Sequence, residues 1–303
     1  MTHQKFGGQW TSRKLDVLAR YLRSYTTALK DKPYPERPFR KAFVDAFAGS
    51  GYRDARRAAG KTHESQSLLF PDLAGDEPQG LLDGSARLAL KTQPPFDRYI
   101  FIERSRDRCA QLERLKLEFP SLARRIDIRQ GDANEKIQQL CDGDWRSHRA
   151  VLFLDPYGLQ VDWATVEAVA KTEAIDLWLL FPLGIGVNRL LTQSGDIPKD
   201  WRQRLNRLLG TEDWYGEFYN VEPTPTLSLF GTDQEHVVKA RMEDIGRYFN
   251  DRLGEIFAGV AREPGVLRNS RNNPLYLLCF AVGNERGKKV ALGIAEHLLK
   301  EFC

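Results

Sequence analysis

Between residues 38 and 182, five short apolar runs alternate with stretches of helical period, and this alternation constrains the fold more than any other feature. The strand candidates are Lys41–Phe47, Arg98–Glu103, Arg125–Gln130, Ala150–Asp155 and Ile175–Pro182. Helical spacing fills Ser85–Lys91, Arg106–Glu118, Ala133–Cys141 and Trp163–Lys171 between them. Apolar runs of strand length joined by amphipathic helices predict an α/β fold: a mostly parallel, doubly wound sheet with helices on both faces. Ahead of it, Leu15, Leu18, Leu22, Tyr25 and Leu29 recur at helical spacing, so residues 12–30 read as an amphipathic helix with Ser12 as its N-cap.

Four regions follow: an N-terminal helical extension (1–36), a core (37–183), a helical insertion after the fifth strand (184–255), and final strands and a helix completing the sheet (256–303). In the last two regions the pattern predicts a helix at about 234–253 and strands near 256–262 and 275–282. Gly60–Gly84, rich in Gly, Asp, Gln and Ser, reads as a long loop.

With 42% hydrophobic and 28% charged residues over 303 positions, the chain can bury a sizeable core. No stretch reaches the roughly 18 apolar residues of a membrane span, and the first residues lack the apolar segment of a secretory signal. The four cysteines lie far apart with no histidine at ligand spacing, so reduced thiols, a cytoplasmic location and no metal are expected. A formal charge of +4 permits a nucleic-acid partner without requiring one.

The chemistry is concentrated where the apolar runs end. The first passes into Asp45-Ala46-Phe47-Ala48-Gly49-Ser50-Gly51, whose glycines allow a sharp turn and close approach of a ligand. No third glycine completes a dinucleotide fingerprint, which disfavours an oxidoreductase. The second run ends in Glu103, an acceptor for both hydroxyls of a ribose. The third ends at Asp132-Ala133, where Asp132 can bond an adenine amine or equally cap the following helix. The fourth delivers Asp155-Pro156-Tyr157-Gly158. Asp155 and the Pro156 carbonyl form two acceptors for an amino group, and Tyr157 offers a ring on which a planar base can stack. Phe181 and Pro182 are expected to line the same pocket.

Taken in order, these strand ends resemble class I S-adenosylmethionine-dependent methyltransferases over about residues 40–183. The resemblance implies a Rossmann-like sheet, with Asp45, Ala48, Gly49, Ser50 and Gly51 beside the methionine part of the cofactor. It also implies Glu103 on the ribose, Asp132 and Ala133 by the adenine, and Asp155, Pro156 and Tyr157 facing the substrate. At finer grain the early Lys/Leu/Tyr helix KLDVLARYLRSY, with VDAFAGSG, FIE, FLDPYG, DLWLLFP and NNPLYLLCFAV, is similar to the three-Cys-motif partner protein (TcmP) family, which implies a partner bearing a three-cysteine motif. The fourth-strand motif lacks the second proline usual in adenine amino-methyltransferases. It resembles that of tRNA guanosine-N2 dimethyltransferases, so guanine stays open beside adenine. The activity implied is methyl transfer to an exocyclic amine of a nucleobase in RNA or DNA; the alternative is a non-catalytic partner subunit with the same fold.

Basic residues near the site, Arg53, Arg56 and Arg57, and Lys199, Arg202, Arg204 and Arg207 with Trp201 among them, can hold a phosphate backbone or simply form a solvated face. Gln66–Phe70 and Leu227–Phe230 are similar to the short peptides that dock on sliding clamps, with loop anchoring the favoured explanation.

Overall fold

The computed structural model describes residues 9–50, 52–53, 82–223 and 235–302. A 20-residue helix, α1 (Gln9–Ala28), opens them, beginning three residues before the expected Ser12. The strands of the main sheet are β1 (Arg40–Asp45), β2 (Arg98–Glu103), β3 (Ile126–Gln130), β4 (His148–Leu154) and β5 (Ile175–Phe181), followed later by three more. Between them run α2 (Ser85–Leu90), α3 (Arg106–Glu113), α4 (Ala133–Cys141) and α5 (Trp163–Lys171). The helix expected over 106–118 ends at Glu113, and a separate short turn covers Leu115–Glu118. The expected loop at Gly60–Gly84 lies mostly outside the described residues. Tyr52–Arg53 pairs with Leu82–Asp83 across it.

After β5 the insertion carries α6 (Lys199–Leu209) and α7 (Trp214–Phe218). A hairpin follows, β6 (Tyr219–Pro223) against β7 (Glu235–Lys239), and then α8 (Met242–Ile256). The helix expected from 234 therefore starts at Met242. Val237-Val238, β-branched and opposite Asn220 and Val221, form a strand instead, as such residues favour on a pleated surface. The strand expected near 256–262 shrinks to β8 (Gly259–Val260), because α8 runs on through Ile256. β9 (Gly265–Arg268), β10 (Pro274–Val282) and α9 (Lys288–Leu299) complete the chain.

The sheet order is β8-β10-β5-β4-β1-β2-β3, with β9 also paired to β10. β1 to β5 are mutually parallel, while β10 runs antiparallel to β5. This is the Rossmann-like α/β sheet with a helical insertion after the fifth strand. Alternation along each strand divides the core in two. Phe43, Phe101, Val151, Phe153, Trp178 and Phe280 face α1, α2 and α9. Val44, Ile102, Leu152, Leu179 and Cys279 face α4, α5, α6 and α8.

Asp176, the second residue of β5, ties α1 to the amino edge of the sheet. Its Oδ2 accepts the Tyr21 hydroxyl at 2.7 Å and its Oδ1 accepts the Gly283 amide at 3.2 Å. A Cβ on Gly283 would lie 2.5 Å from the Ile175 carbonyl oxygen, so only glycine lets the chain come close enough to make that bond. Burial pushes the Asp176 carboxyl up to about 6, against the opposing pull of Tyr21, Gly283 and Arg149. A carboxyl that holds its proton longer when folded costs stability as pH rises from its unfolded value, 3.8, to about 6. Asp176→Asn keeps an acceptor for Gly283, so it is expected to flatten the fall in stability across that window. Denaturant titrations at a series of pH values measure this, and parallel curves for variant and wild type would refute it.

Candidate functional site

The strand order reverses at β1: the chain moves outward through β2 and β3, then returns to the other side of β1 as β4 and β5. In open α/β sheets the crevice beyond the carboxyl ends at such a reversal is where ligands bind. Register aligns the tips around it. Asp45 pairs with Phe101 and Phe153, so Glu103 and Asp155 each stand two residues beyond the level of Asp45. Glu103 pairs in turn with Gln130, two residues before Asp132.

Asp45 is fully buried. Its Oδ1 accepts the Phe47 amide at 3.1 Å and its Oδ2 the Ser85 hydroxyl at 2.5 Å. Burial, the largest cause, pushes its carboxyl up to about 7. Ser85, Phe47 and the Lys14 charge oppose the rise, and the neighbouring Asp155 adds to it. The loop after Asp45 is stitched to both flanking strands, Ala46 N to Phe153 O and Ala48 N to Ile102 O, each at 3.2 Å. Gly49 then turns through a φ of +60°, where a Cβ would meet nothing within 4 Å among the described residues. The glycine is needed for its backbone conformation. Ser50 follows, half-buried; Gly51 lies outside the described residues.

Glu103 is buried at the tip of β2. Its Oε1 accepts the Ser105 amide at 2.8 Å, while its Oε2 faces the Arg108 guanidinium at 3.7 Å, beyond hydrogen-bond distance. Asp132 acts as the N-cap of α4: its Oδ1 accepts the Asn134 amide at 2.9 Å and the Glu135 amide at 3.4 Å, and Ala133 is buried behind it.

Beyond β4, Asp155 is 28% exposed in its side chain and Pro156 is buried, while the Tyr157 side chain stands in solvent at 50%. Gly158 turns the chain away at φ +78°. Asp155 Oδ2 is bound at 2.5 Å by the Lys14 ammonium from α1, and Lys14 is only 6% exposed. Sequence reasoning does not single out Lys14, although a signal is there. Position 14 falls on the helix stripe of Leu18, Tyr21, Leu22 and Tyr25, so a cation sits on the apolar face. The other unanticipated neighbour is Tyr276, near the start of β10 and buried. Burial, with the charges of Asp155 and Tyr157 nearby, drives its hydroxyl well above the ordinary tyrosine range.

Other expected site residues are placed elsewhere. Phe181 is 0% exposed and stacks on Phe249 of α8 at 3.9 Å and 15°, inside the core on the face away from α1. It is a core residue, because the odd positions of β5 (177, 179, 181) point to that face. Pro182 is buried beside it, its carbonyl accepting the Gly186 and Val187 amides of a π-helical turn, Leu183–Val187. Arg53 lies in the short strand Tyr52–Arg53, and Arg56 and Arg57 fall outside the described residues, as do both clamp-like peptides. In the insertion Arg207 is paired with Asp162 at 2.7 Å, and the Arg202 guanidinium lies over the Tyr215 ring at 4.8 Å, whereas Lys199 and Arg204 are exposed. Among the described residues no group of His, Cys, Asp and Glu could hold a metal ion, and no helix is long and apolar enough to cross a membrane.

No family model and no curated protein matches the chain. Among solved structures, one similar chain is a DUF519-family protein from Legionella pneumophila, 13% identical, covering 98% of this chain and 93% of that one at a TM-score of 0.49. Another is a methyltransferase from Geobacter sulfurreducens, 16% identical, covering 73% and 75% at a TM-score of 0.30. With both scores below one half, neither likeness bears on what the site does.

Proposed function

We propose that the chain is an S-adenosylmethionine-dependent methyltransferase acting on an exocyclic amine of a nucleobase in RNA or DNA. One observation carries this reading: Asp45, Glu103 and Asp155 stand at adjacent strand tips around the point where the sheet order reverses. The residues present suit such a cofactor. No described residue crowds Gly49, which leaves room for the methionine part, and Glu103 Oε2 has acceptor capacity for the ribose hydroxyls. Asp132 retains a second carboxylate oxygen for the adenine amine. Bound there, the cofactor supplies a methyl on a cationic sulfur that leaves with the C–S bonding pair.

What remains is the work of this chain. Asp155 Oδ1 and the Pro156 carbonyl accept hydrogen bonds from the substrate amine and aim its lone pair. As the N–C bond forms, positive charge grows on the nitrogen. The Asp155 carboxylate stabilises it and receives the proton released. Tyr157, exposed at the rim, stacks on the base, which must leave any duplex at a cost of a few kcal/mol. Lys14 fixes Asp155 from the opposite side and offsets the negative charge of the pair Asp155 and Asp45.

Incubation with labelled S-adenosylmethionine and total nucleic acid, followed by nucleoside mass spectrometry, tests the reading; no methylated nucleoside would remove it. The cofactor site has its own test. Glu103→Ala is expected to weaken S-adenosylhomocysteine binding by roughly tenfold to a hundredfold, since hydrogen bonds to a charged acceptor contribute about 1.5–3 kcal/mol each. Calorimetry reads this directly, and an unchanged Kd would take Glu103 out of the site.

A second reading is a non-catalytic partner of a three-cysteine-motif protein, supported by the motifs shared with TcmP proteins. The observation favouring it is that Asp155 already carries an ammonium partner within the chain. Absence of S-adenosylhomocysteine binding would select it.

A further inference from the structure

The first and last helices of the described chain pack against each other on the α1 face of the sheet, and a groove runs between them. Arg20 and Arg23 of α1 and Lys289 and His297 of α9 line it, with Val290, 57% exposed, on its wall. Its volume is about 640 Å³, in the range of sites that take an extended ligand segment rather than a single ion. Gly293 keeps the floor clear, since a Cβ there would meet nothing within 4 Å.

The charges in this groove are unevenly committed. Arg20 is paired with Glu301 and with Asp16. Arg23 and Lys289 have no ion-pair partner among the described residues. In the insertion Arg207 is held by Asp162 and Arg202 lies on the Tyr215 ring, while Lys199 and Arg204 are exposed. The groove also has a fixed relation to the candidate site. Lys14, on the same helix, touches Asp155 at the carboxyl edge of the sheet, and Arg20 and Arg23 follow it by about 9 and 14 Å along the axis at 1.5 Å per residue, toward the amino edge where Tyr21 meets Asp176.

We infer that the α1–α9 groove is a binding track for the phosphodiester backbone of the nucleic-acid strand whose base enters the Asp155 cleft. This rests on the nucleobase reading above. Unpaired cations along a trough suit a chain of regularly spaced anions, and phosphate contacts fix the register of a strand without reading its sequence. Exposed Val290 and the stems of Arg23 and Lys289 supply apolar surface beneath sugars and bases.

The test is the double variant Arg23→Glu/Lys289→Glu, with Arg23→Gln/Lys289→Gln as a milder companion. Fluorescein-labelled single-stranded RNA and DNA oligonucleotides of mixed sequence are titrated at a series of salt concentrations, and S-adenosylhomocysteine is titrated in parallel by calorimetry. Affinity for the oligonucleotide is expected to fall at least about tenfold in the Glu variant. The slope of log affinity against log salt should shrink by about 0.7 for each phosphate no longer neutralised in either variant. Cofactor affinity should not change. Unchanged oligonucleotide affinity and slope in both variants, with wild type binding well, would overturn the groove alone. A wild-type chain that takes the cofactor but neither oligonucleotide would overturn the groove together with the nucleobase acceptor, and leave the donor site standing.

Discussion

Replacing Asp155 by alanine is expected to lower methyl transfer by roughly 10²–10⁴-fold, the range a positioned acid–base group contributes, while S-adenosylhomocysteine binds as before. The expectation follows from where the carboxylate stands. It is at the tip of β4, with Oδ2 held by Lys14, and Oδ1 has no hydrogen-bond partner among the described residues. The side chain is thus fixed in direction yet keeps one acceptor for an incoming amine. Because the alanine also leaves Lys14 as a nearly buried cation without its partner, Asp155→Asn is the companion variant. It keeps an oxygen for the ammonium but cannot take a proton. Loss of turnover in both variants, with cofactor affinity intact, is the signature of a group that acts on the acceptor. Full turnover in either would remove Asp155 from the chemistry.

Lys14→Met should produce the second large effect, on stability and activity together. Deleting one member of a largely buried ion pair costs about 3–5 kcal/mol in fully buried cases; with Asp155 28% exposed, solvent takes up part of that, and roughly 2 kcal/mol is a fair expectation. The charge balance also changes. Asp45, already pushed up to about 7 by burial, loses the cation that opposes the rise, and Asp155 loses its direct counter-charge. Asp45 then holds its proton to higher pH. Turnover should therefore fall at neutral pH and recover partly as the pH is raised, shifting the acidic limb of the rate profile to the alkaline side. A flat loss at every pH would mean that Lys14 acts only in folding. The double variant Lys14→Met/Asp155→Asn should regain much of the lost stability, because removing both members of a pair leaves no uncompensated charge.

Most of the sheet was legible in the sequence, because its strands carry their instructions locally. β2, α4 and α5 occur at the expected residues, for their apolar runs and periods are uninterrupted and Asp132 and Asp162 stand at the N-cap positions. The hairpin β6–β7 was not legible: β7 falls within the range expected as a helix, and only pairing with a partner decides for a strand. The fate of Phe181 turned on the parity of β5. A strand tip offers its residues alternately to two faces, and an aromatic next to a proline gives no sign of which face it takes. The roles of Lys14 and Tyr276 were hidden for a different reason. A cation on an apolar stripe marks Lys14 as unusual, but its partner Asp155 lies 141 residues away, and the nearness of Tyr276 to the same carboxylate likewise arises only when the chain has closed.

Both anchors of α1 lie far downstream: Asp155 meets Lys14, and Asp176 with Gly283 meets the end that carries Tyr21. During synthesis on the ribosome α1 therefore emerges before the strands that anchor it. At about 5–20 residues per second, the nascent chain needs roughly 10–50 s after making α1 before Gly283 is added. Until β4 and β5 have been made, Leu15, Leu18 and Leu22 have no complete sheet face to cover. The helix is thus a client for whatever shields apolar segments during translation, and Lys14 can meet Asp155 only after β4 has been made.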